Sequence, residues 1–348
     1  MLRALRSLTT RSDQLRHACG SLESSTPTLP RAWYSVSNRE TQAQMSPLYA
    51  SRGVLRLAGD DLFEFLQGMI TNDVEKLKQD AHPVLYAAIL NAQGRQLHDI
   101  FLHRDPKDKA VLRGDVDKES LPELVSLLKK HKLRAQVDIS DVSDELQVWA
   151  RFGSGQYPDG DEWPIDPREQ KLGYRKIMGE NDKPKAEAAF LDPGAAPVET
   201  EAEAYKVWRL QKGIAEGNEI PSGEAIPLEY NMDGLNAISF EKGCYIGQEL
   251  IARTHYKGVV RKRLVPFEMT PESAEDLKVG AELTASGEKK PVGKVIAMAE
   301  RFGVAHVRLA PALAAADAAE GRLQSGDSSI RPFRPDWWPE QWGKEEQQ

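Results

Sequence analysis

The apolar positions along the chain switch between two periods, and the first switch predicts a strand followed by a helix. Residues 53–59, GVLRLAG, alternate in the way of a half-buried strand. Apolar residues then recur at helical spacing from Leu62 to Ile70, with Asp60 or Asp61 placed to cap the start of the helix. The pattern therefore begins with a strand and an amphipathic helix.

The next segments add a hairpin, a second helix and two more strands. Two apolar runs flank residues 91–94, which is typical of a hairpin. Residues 120–131 form a second amphipathic helix pattern, and residues 135–142 and 145–152 have strand patterns. Because helices are interleaved with hairpin-connected strands, we predict an α+β layered fold and not a doubly wound parallel sheet.

The second half of the chain is divided by composition. Residues 153–169 and 179–200 are rich in Gly, Pro, Asp and Glu, which predicts surface loops or a spacer. Residues 202–213 predict a helix that ends at Gly213. From residue 260 onward, short strands separated by turn residues predict a small β-barrel or sandwich.

The end of the chain has two further features. Residues 314–329 are interpreted as a low-complexity loop. Trp337, Trp338 and Trp342 lie among prolines in the tail, and we expect the tail to fold back onto the barrel. A patch that docks a partner is the alternative interpretation.

The first 35 residues have a different composition from the rest. Residues 1–34 contain five arginines and only two acidic residues, many Ser and Thr, and leucines at helical spacing. An Arg-rich, Ser-rich, acid-poor amphipathic start is typical of an organelle transit peptide, and no continuous apolar core of a secretory signal is present. We therefore predict a mitochondrial transit peptide over 1–34, the alternative being a basic tail.

Charge and length exclude several classes of function. The 348 residues carry a formal net charge of −7, and removal of residues 1–34 would change it to −10, so we expect no nucleic-acid partner. No apolar run approaches the roughly 20 residues that span a bilayer, so we expect no membrane insertion. Cleavage would also remove Cys19 and leave Cys244 alone, which excludes a disulfide within the chain and an all-cysteine metal site.

The remaining cysteine lies in the stretch KGCYIGQE. Gly243 and Gly247 would let backbone or a ligand approach closely. If a helix begins near Tyr245, Cys244 lies at its N-terminus, where backbone N–H groups and Lys242 would favour the thiolate, the form that binds iron or attacks carbon. A buried cysteine acting as a small hydrophobic residue is an equal alternative at this level.

The same stretch resembles the signature of the YgfZ-type folate-binding proteins, relatives of the glycine-cleavage aminomethyltransferase. LAGDDLFEFLQGMITNDV, LNAQGRQLHDIFLHR, RLQKGIAEGNEIP, the long segment from IPLEYN to VVRKRL, and VGKVIAMA follow in the family order. They cover most of residues 49–309. Together with the transit peptide, they favour the mitochondrial branch, whose members assist late steps of iron–sulfur cluster assembly.

The resemblance implies a fold and a ligand. The fold is a three-part ring around a central folate-sized cavity, with residues 46–260 forming the folate-binding region and 261–348 the C-terminal barrel. The implied ligand is tetrahydrofolate, and the motif positions assign Asn72, Asp73, Asp99, Glu229 and Tyr230 to it. The alternative from the residues alone is a cap or a surface charge, with Asp73 ending its helix region and Asp99 ending a strand.

Two departures from the transferase pattern bear on activity. His98 stands where the transferases have the first of two paired aspartates, and Gln211 stands where their helix has a glutamate facing the pterin. A neutral amide cannot act as a charged acceptor for a pterin N–H pair. These departures weaken the alternative that the chain is a folate-dependent one-carbon transferase, while a scaffold with a structural cysteine remains a third possibility.

The cysteine distinguishes the assembly branch from the transferases. The resemblance assigns the working site to Lys242, Gly243, Cys244 and Gln248. One thiolate cannot hold an iron–sulfur cluster unaided, so a cluster on Cys244 would have to be shared with a partner, which in this family is an A-type iron–sulfur scaffold protein. The expected clients are aconitase and lipoate-making radical enzymes, and the expected compartment is the mitochondrial matrix.

Charges near the cysteine have two interpretations. Lys242 and Arg253 would balance the negative charge of such a cluster or of folate, or they are solvated surface charges. Gln248 and Glu249 are expected to orient the loop as helix residues.

Overall fold

The computed structural model describes residues 43–79, 81–153, 163–179, 198–270 and 277–343. The predicted transit peptide, Cys19 and most of the two predicted loops lie outside the described residues. Within the described residues there are five α-helices and fifteen strands. The helices are α1 Leu62–Met69, α2 Leu121–His131, α3 Ala202–Gln211, α4 Gln248–Lys257 and α5 Leu309–Asp317.

The first β unit is a five-stranded antiparallel sheet, in the order β3-β4-β5-β2-β6. The predicted strand at residues 53–59, the hairpin around residues 91–94 and the strand at residues 135–142 are confirmed as parts of this sheet. Helices α1 and α2 pack their apolar faces against it, and the shared core includes Leu66, Ile70 and Leu124. The strands are β2 Arg52–Ala58, β3 Val84–Leu90, β4 Gln96–Arg104, β5 Val111–Asp117 and β6 Asp138–Asp141.

The second β unit is a four-stranded sheet in the order β8-β7-β1-β9. Its strands pair antiparallel except for β1 and β9, which are parallel. Helix α3 packs on it through Tyr205 and ends before Gly213, whose φ of +77° places it just past the helix end as predicted. The strands are β1 Gln44–Pro47, β7 Leu146–Phe152, β8 Tyr174–Gly179 and β9 Val198–Glu199.

The third β unit is a closed barrel in the order β10-β13-β12-β11-β14-β15. The predicted tail packing is confirmed, because Trp338 and Trp342 are buried in the barrel core and the Arg263 guanidinium lies 3.3 Å from the centre of the Trp342 ring. The strands are β10 Lys262–Met269, β11 Glu282–Ala285, β12 Gly293–Ala299, β13 Phe302–Arg308, β14 Leu323–Ser325 and β15 Ser328–Pro332.

Three local predictions are wrong. Residues 314–329 are not one loop, because residues 314–317 belong to α5 and residues 323–329 to the β14–β15 hairpin, which turns at Gly326 with φ of +58°. Asp61 precedes α1, but its carboxylate accepts from the Gln136 N–H at 2.7 Å and does not cap the helix. Trp163 and Arg168 are buried, so the described end of the first predicted loop is part of the core.

Short 3-10 helices lie in the connections at Val74–Lys78, Gln170–Leu172, Gly217–Glu219 and Pro227–Tyr230. Among the described residues, no helix combines the length and the apolar character that a bilayer span requires. The two open sheets with their helices and the closed barrel confirm the predicted α+β class and C-terminal barrel.

Candidate functional site

Cys244 lies in the loop that leads from Ala237 to α4, and its side chain is a free, exposed thiol. We call residues 238–247 the cysteine loop. The predicted helix start near Tyr245 is wrong, because α4 begins at Gln248 with Gly247 as the preceding residue. Cys244 therefore lies ahead of the helix and not at its N-terminus, and the effect of helix charge is confined to the first turn.

The cysteine loop rests on the segment that follows α1. The Ser239 N–H donates to the Thr71 carbonyl at 3.0 Å, and the Ile246 N–H donates to the Gly68 carbonyl at 3.1 Å. The Thr71 hydroxyl donates to the Ala237 carbonyl at 2.6 Å. Both ends of the loop are thus tied to residues 68–71.

Lys242 holds the middle of the cysteine loop from below. Its Nζ donates to the carbonyls of Gln67, Ile70 and Asn72 at 2.7, 2.7 and 2.8 Å. Burial lowers the pKa of Lys242 to about 8, and the nearby Asp73 carboxylate partly opposes that change. The interpretation of Lys242 as a solvated surface charge is wrong, because its ammonium is buried under the loop. Its role in balancing the charge of a cluster or of folate stays a prediction.

The two glycines that flank Cys244 differ. Gly247 has φ of +83°, and a Cβ there would lie 2.5 Å from the Asn91 carbonyl oxygen and 3.0 Å from Gly94 Cα. The expected close backbone approach is therefore present at Gly247, against the β3–β4 turn. At Gly243 a Cβ would meet no atom within 4 Å, so the space beside Cys244 is open.

The other loop residues assigned to the site lie on α4. Gln248 is its first residue and is half-buried, and its expected role of orienting the loop stays a prediction. Arg253 and Glu249 are exposed on the same helix. Phe240 stacks on His255 with ring centres 3.6 Å apart, so the far end of α4 packs back against the start of the cysteine loop.

The predicted ligand residues Asn72 and Asp73 support the cysteine loop and its neighbours. The Asn72 amide donates to the carbonyls of Tyr86 and Asn236 at 2.8 and 2.7 Å. The Asp73 carboxylate accepts from the Glu75 N–H at 3.1 Å and so caps the first 3-10 helix. These contacts agree with the alternative interpretation, in which Asp73 acts as a cap.

Asp99 lies in the interior of β4 and not at a strand end. Its carboxylate accepts from the Tyr86 hydroxyl and the Gly217 N–H, both at 3.3 Å, and lies 3.7 Å from an Arg52 guanidinium nitrogen. His98, its neighbour, is also buried. Asp99 is enclosed by the protein's own donors.

A buried ion cluster surrounds Asp99 and joins the two open sheets. Arg175 donates to Asp115 at 2.5 Å and to Glu216 at 3.1 Å, while Arg52 donates to Asp115 at 2.6 Å. Arg168 pairs with Glu216 at 2.7 Å. Sequence reasoning missed this cluster, because its members are far apart in the sequence and each charge taken alone is expected at the surface.

The cluster carries full charges in spite of its burial. Desolvation opposes ionisation of Glu216, but the guanidinium groups of Arg175, Arg168 and Arg52 hold its pKa well below the usual range. Burial likewise opposes the charge on Asp115, and Arg175 and Arg52 keep its pKa lowered. The centre between the sheets is therefore occupied by ion pairs of the chain itself.

Glu229 and Tyr230 connect the 3-10 helix at Pro227–Tyr230 to the barrel. Glu229 bonds the His306 ring at 2.9 Å, and the Tyr230 ring stacks on the same histidine with centres 5.2 Å apart. Burial raises the pKa of the Tyr230 hydroxyl above its ordinary value. Tyr230 also shares a hydrophobic core cluster with Ile238 and Tyr245 of the cysteine loop.

An open cavity of about 1010 Å³ lies beside the cluster. Asn72, Trp163, Asp166, Gln170 and Asn236 are among its lining residues, whereas Asp99 is not. Its volume is large enough for a folate, and its lining includes the buried Trp163, whose ring centre lies 4.1 Å from the Arg151 guanidinium. The carboxylate of Asp166 is already engaged by Arg168 at 2.8 Å, so it does not provide the expected free acid.

The described residues contain no group of three or more His, Cys, Asp or Glu side chains arranged to hold a metal ion. Within that part of the chain, Cys244 therefore does not belong to a self-contained site of three or more such side chains. The expectation that a cluster on Cys244 takes its other ligands from another protein stays a prediction.

Comparison with known proteins identifies relatives of this architecture. Residues 261–340 match a family described as the CAF17 C-terminal beta-barrel domain. The structure of glycine cleavage system aminomethyltransferase T from Bartonella henselae superposes with a TM-score of 0.62 at 13% identity, covering 87% of this chain and 88% of that one. This likeness shows the aminomethyltransferase-like fold.

The sequence relatives are more specific. The chain is 32% identical over 342 residues to the mitochondrial iron–sulfur cluster assembly factor IBA57 homolog of Mycosarcoma maydis, covering 83% of both chains. It is 34% identical over 315 residues to the mitochondrial iron–sulfur cluster assembly factor IBA57 of Mus musculus, covering 83% of this chain and 84% of the relative. With its barrel and its aminomethyltransferase-like fold, this chain belongs to the IBA57 family of iron–sulfur cluster assembly factors.

Proposed function

We propose that this protein is a mitochondrial matrix factor for late iron–sulfur cluster assembly and that it contributes Cys244 to a cluster shared with an A-type scaffold protein. The single observation that carries the proposal is the exposed thiol on a loop that is tied down at both ends and in the middle. Its relatives, named mitochondrial assembly factors, support the process and the organelle.

The geometry supports a role in binding an iron–sulfur cluster and transferring it, and not a reaction that this protein catalyses by itself. The site is open beside Gly243, so a partner can approach Cys244 without displacing a side chain there. The thiolate supplies one ligand, and the partner supplies the others. Clusters of the [4Fe–4S] type in aconitase and lipoate-making enzymes are the proposed products of this step.

We also propose tetrahydrofolate as a ligand of the open cavity, where Trp163, Asn72 and Gln170 would hold it. The cavity volume and the aminomethyltransferase-like fold support this proposal. Because folates carry one-carbon units, folate binding would also be compatible with the alternative of a one-carbon transferase. No observation favours the transferase alternative, since the Asp99 carboxylate is already paired with the chain's own donors.

The main proposal is tested by replacing Cys244 with alanine in cells that lack the native protein. We expect aconitase activity and protein lipoylation to stay at the level of the empty vector, while the variant accumulates normally. A Lys289→Ala variant is the control, because Lys289 is an exposed residue in the turn between β11 and β12 of the barrel and should leave complementation intact. Full recovery with the Cys244→Ala variant would show that the thiol is not the working residue.

The folate proposal has a separate test. Calorimetric titration with tetrahydrofolate should give saturable heat with the natural chain and a weaker affinity with Trp163→Ala. The absence of heat with the natural chain would contradict binding and would leave the cluster proposal untouched.

A further inference from the structure

The ammonium group of Lys242 has three N–H donors, and three backbone carbonyls accept hydrogen bonds from it. The acceptors are the backbone carbonyls of Gln67, Ile70 and Asn72, at 2.7 to 2.8 Å from Nζ. An ammonium carries three N–H groups, so these bonds satisfy it fully. The Tyr245 ring, with its centre 5.0 Å away, covers the group on another side.

The carbonyls come from the end of α1 and the turn after it. The last carbonyls of a helix have no partner within the helix and carry partial negative charge. In α1 the Thr71 N–H, which would complete the ladder to Gln67, donates instead to the Ala88 carbonyl of β3 at 2.9 Å. Lys242 therefore supplies the donor that Gln67 lacks and joins the helix end to the turn.

The position of Lys242 within the cysteine loop matters as much as its bonds. The two backbone ties are at Ser239 and Ile246, and Lys242 lies between them, close to Cys244 in the sequence. A Cβ placed at Gly243 would meet no atom within 4 Å, so the exposed tip has no support from its outer side. On the side facing the protein, the tip is anchored by the Lys242 side chain, next to the Tyr245 ring, which is buried in the core.

We propose that Lys242 is a positioning residue, which fixes the tip of the cysteine loop on the end of α1 and so sets the direction in which Cys244 presents its sulfur to a partner. Its ammonium acts on backbone carbonyls and does not neutralise a cluster. The biological meaning rests on the proposed function of Cys244, but the anchoring itself can be measured without any partner.

The first test is hydrogen exchange in the full chain with Lys242→Met, Lys242→Arg and Lys257→Met. Lys257 is an exposed lysine at the end of α4 and serves as the control. We expect exchange at the Ile246 amide to rise at least tenfold in Lys242→Met, with the Leu57 amide unchanged, because β2 is paired on both sides within the five-stranded sheet. Lys242→Arg keeps a cationic donor and should restore part of that protection.

Two results would overturn the anchoring. Unchanged Ile246 exchange in Lys242→Met is one. An equal rise at Ile246 and Leu57 is the other, since it would indicate general destabilisation. If the methionine variant does not fold, Lys242→Gln, whose side chain is shorter and uncharged, decides by the same ratio: a rise confined to Ile246 supports the anchor, and no selective rise contradicts it.

The second test separates positioning from ligation. Titration with an A-type scaffold protein loaded with its cluster should show at least a tenfold weaker apparent affinity for Lys242→Met but the same cluster spectrum at saturation. Cys244→Ala should lose the shared spectrum at any concentration. If Cys244→Ala keeps that spectrum, the proposed function fails, whereas the exchange data still decide the role of Lys242.

Discussion

The two glycines that flank Cys244 allow a sharp prediction, because they lie in the same loop in very different surroundings. Gly247 has φ of +83°, a region that side chains with a Cβ rarely adopt, and it packs against the β3–β4 turn. Gly243 lacks both restrictions. Alanine at each position is therefore a matched pair within one loop.

The magnitude follows from two separate costs. A residue with a Cβ in the left-handed region costs about 1–2 kcal/mol. The new methyl group would also lie 2.5 Å from the Asn91 carbonyl oxygen and 2.9 Å from Leu90 Cβ. Relieving such an overlap costs about 1–3 kcal/mol. We expect Gly247→Ala to lower the free energy of unfolding by about 2–5 kcal/mol.

Equilibrium unfolding in guanidinium chloride measures this difference. Gly243→Ala should leave the midpoint within the error of the natural chain, and Gly247→Ala should shift it downward with an unchanged slope. The rest of the core is the same in both variants, so the comparison measures the contribution of the contact between Gly247 and the β3–β4 turn. Equal midpoints for the two variants would refute the reasoning.

Three further predictions concern the rest of the molecule. Arg175→Met leaves the carboxylates of Asp115 and Glu216 without their shared partner, so we expect chemical denaturation to show a free energy of unfolding lower by about 3–5 kcal/mol. The control Lys171→Met removes an exposed ion pair and should leave the free energy of unfolding unchanged. Similar losses in both variants would contradict this prediction. The pKa values of Asp115 and Glu216 are lowered in the fold, so the stability that these carboxylates contribute is complete above their unfolded pKa values of about 4 and is lost as the pH falls through their folded pKa values. Calorimetry from about pH 6 to about pH 2 should therefore show a falling Tm, and the fall should be smaller in Glu216→Gln. Identical curves for the natural chain and the variant would contradict this prediction. Trp342→Ala removes a buried ring from the barrel core and should cost about 3–5 kcal/mol by the same denaturation assay, a value near zero being the contrary result.

The parts of the fold that the sequence predicts are those with a local period. The α1 pattern around Leu66, the hairpin at residues 91–94 and the barrel strands each depend on neighbours a few positions away. The prediction for residues 314–329 failed because alanine and serine carry a weak hydrophobic pattern, although alanine favours helix strongly.

The parts that the sequence did not predict depend on contacts between distant segments. Arg52, Asp115 and Glu216 come from three elements that are far apart along the chain, and no local pattern marks them as a buried set. The cysteine loop shows the same limit. The motif identified Lys242 as important, but only the tertiary position of the α1 end shows that its ammonium points down to carbonyls and not outward.

Asp99 illustrates why a motif position does not fix a contact. The resemblance assigns it to the pterin, yet in this chain the Gly217 N–H, the Tyr86 hydroxyl and Arg52 surround its carboxylate. A carboxylate with buried donors on several sides has little left to offer a ligand. Under the folate proposal, the ligand would instead contact the neighbouring cavity wall that includes Trp163.

The most direct measurement of the central claim is an anaerobic absorption and circular dichroism titration of a cluster-loaded A-type scaffold protein with this chain. We predict new cluster bands that saturate at a fixed stoichiometry with the natural chain and are absent with Cys244→Ala. The same bands with the alanine variant would contradict the claim that Cys244 completes a shared cluster.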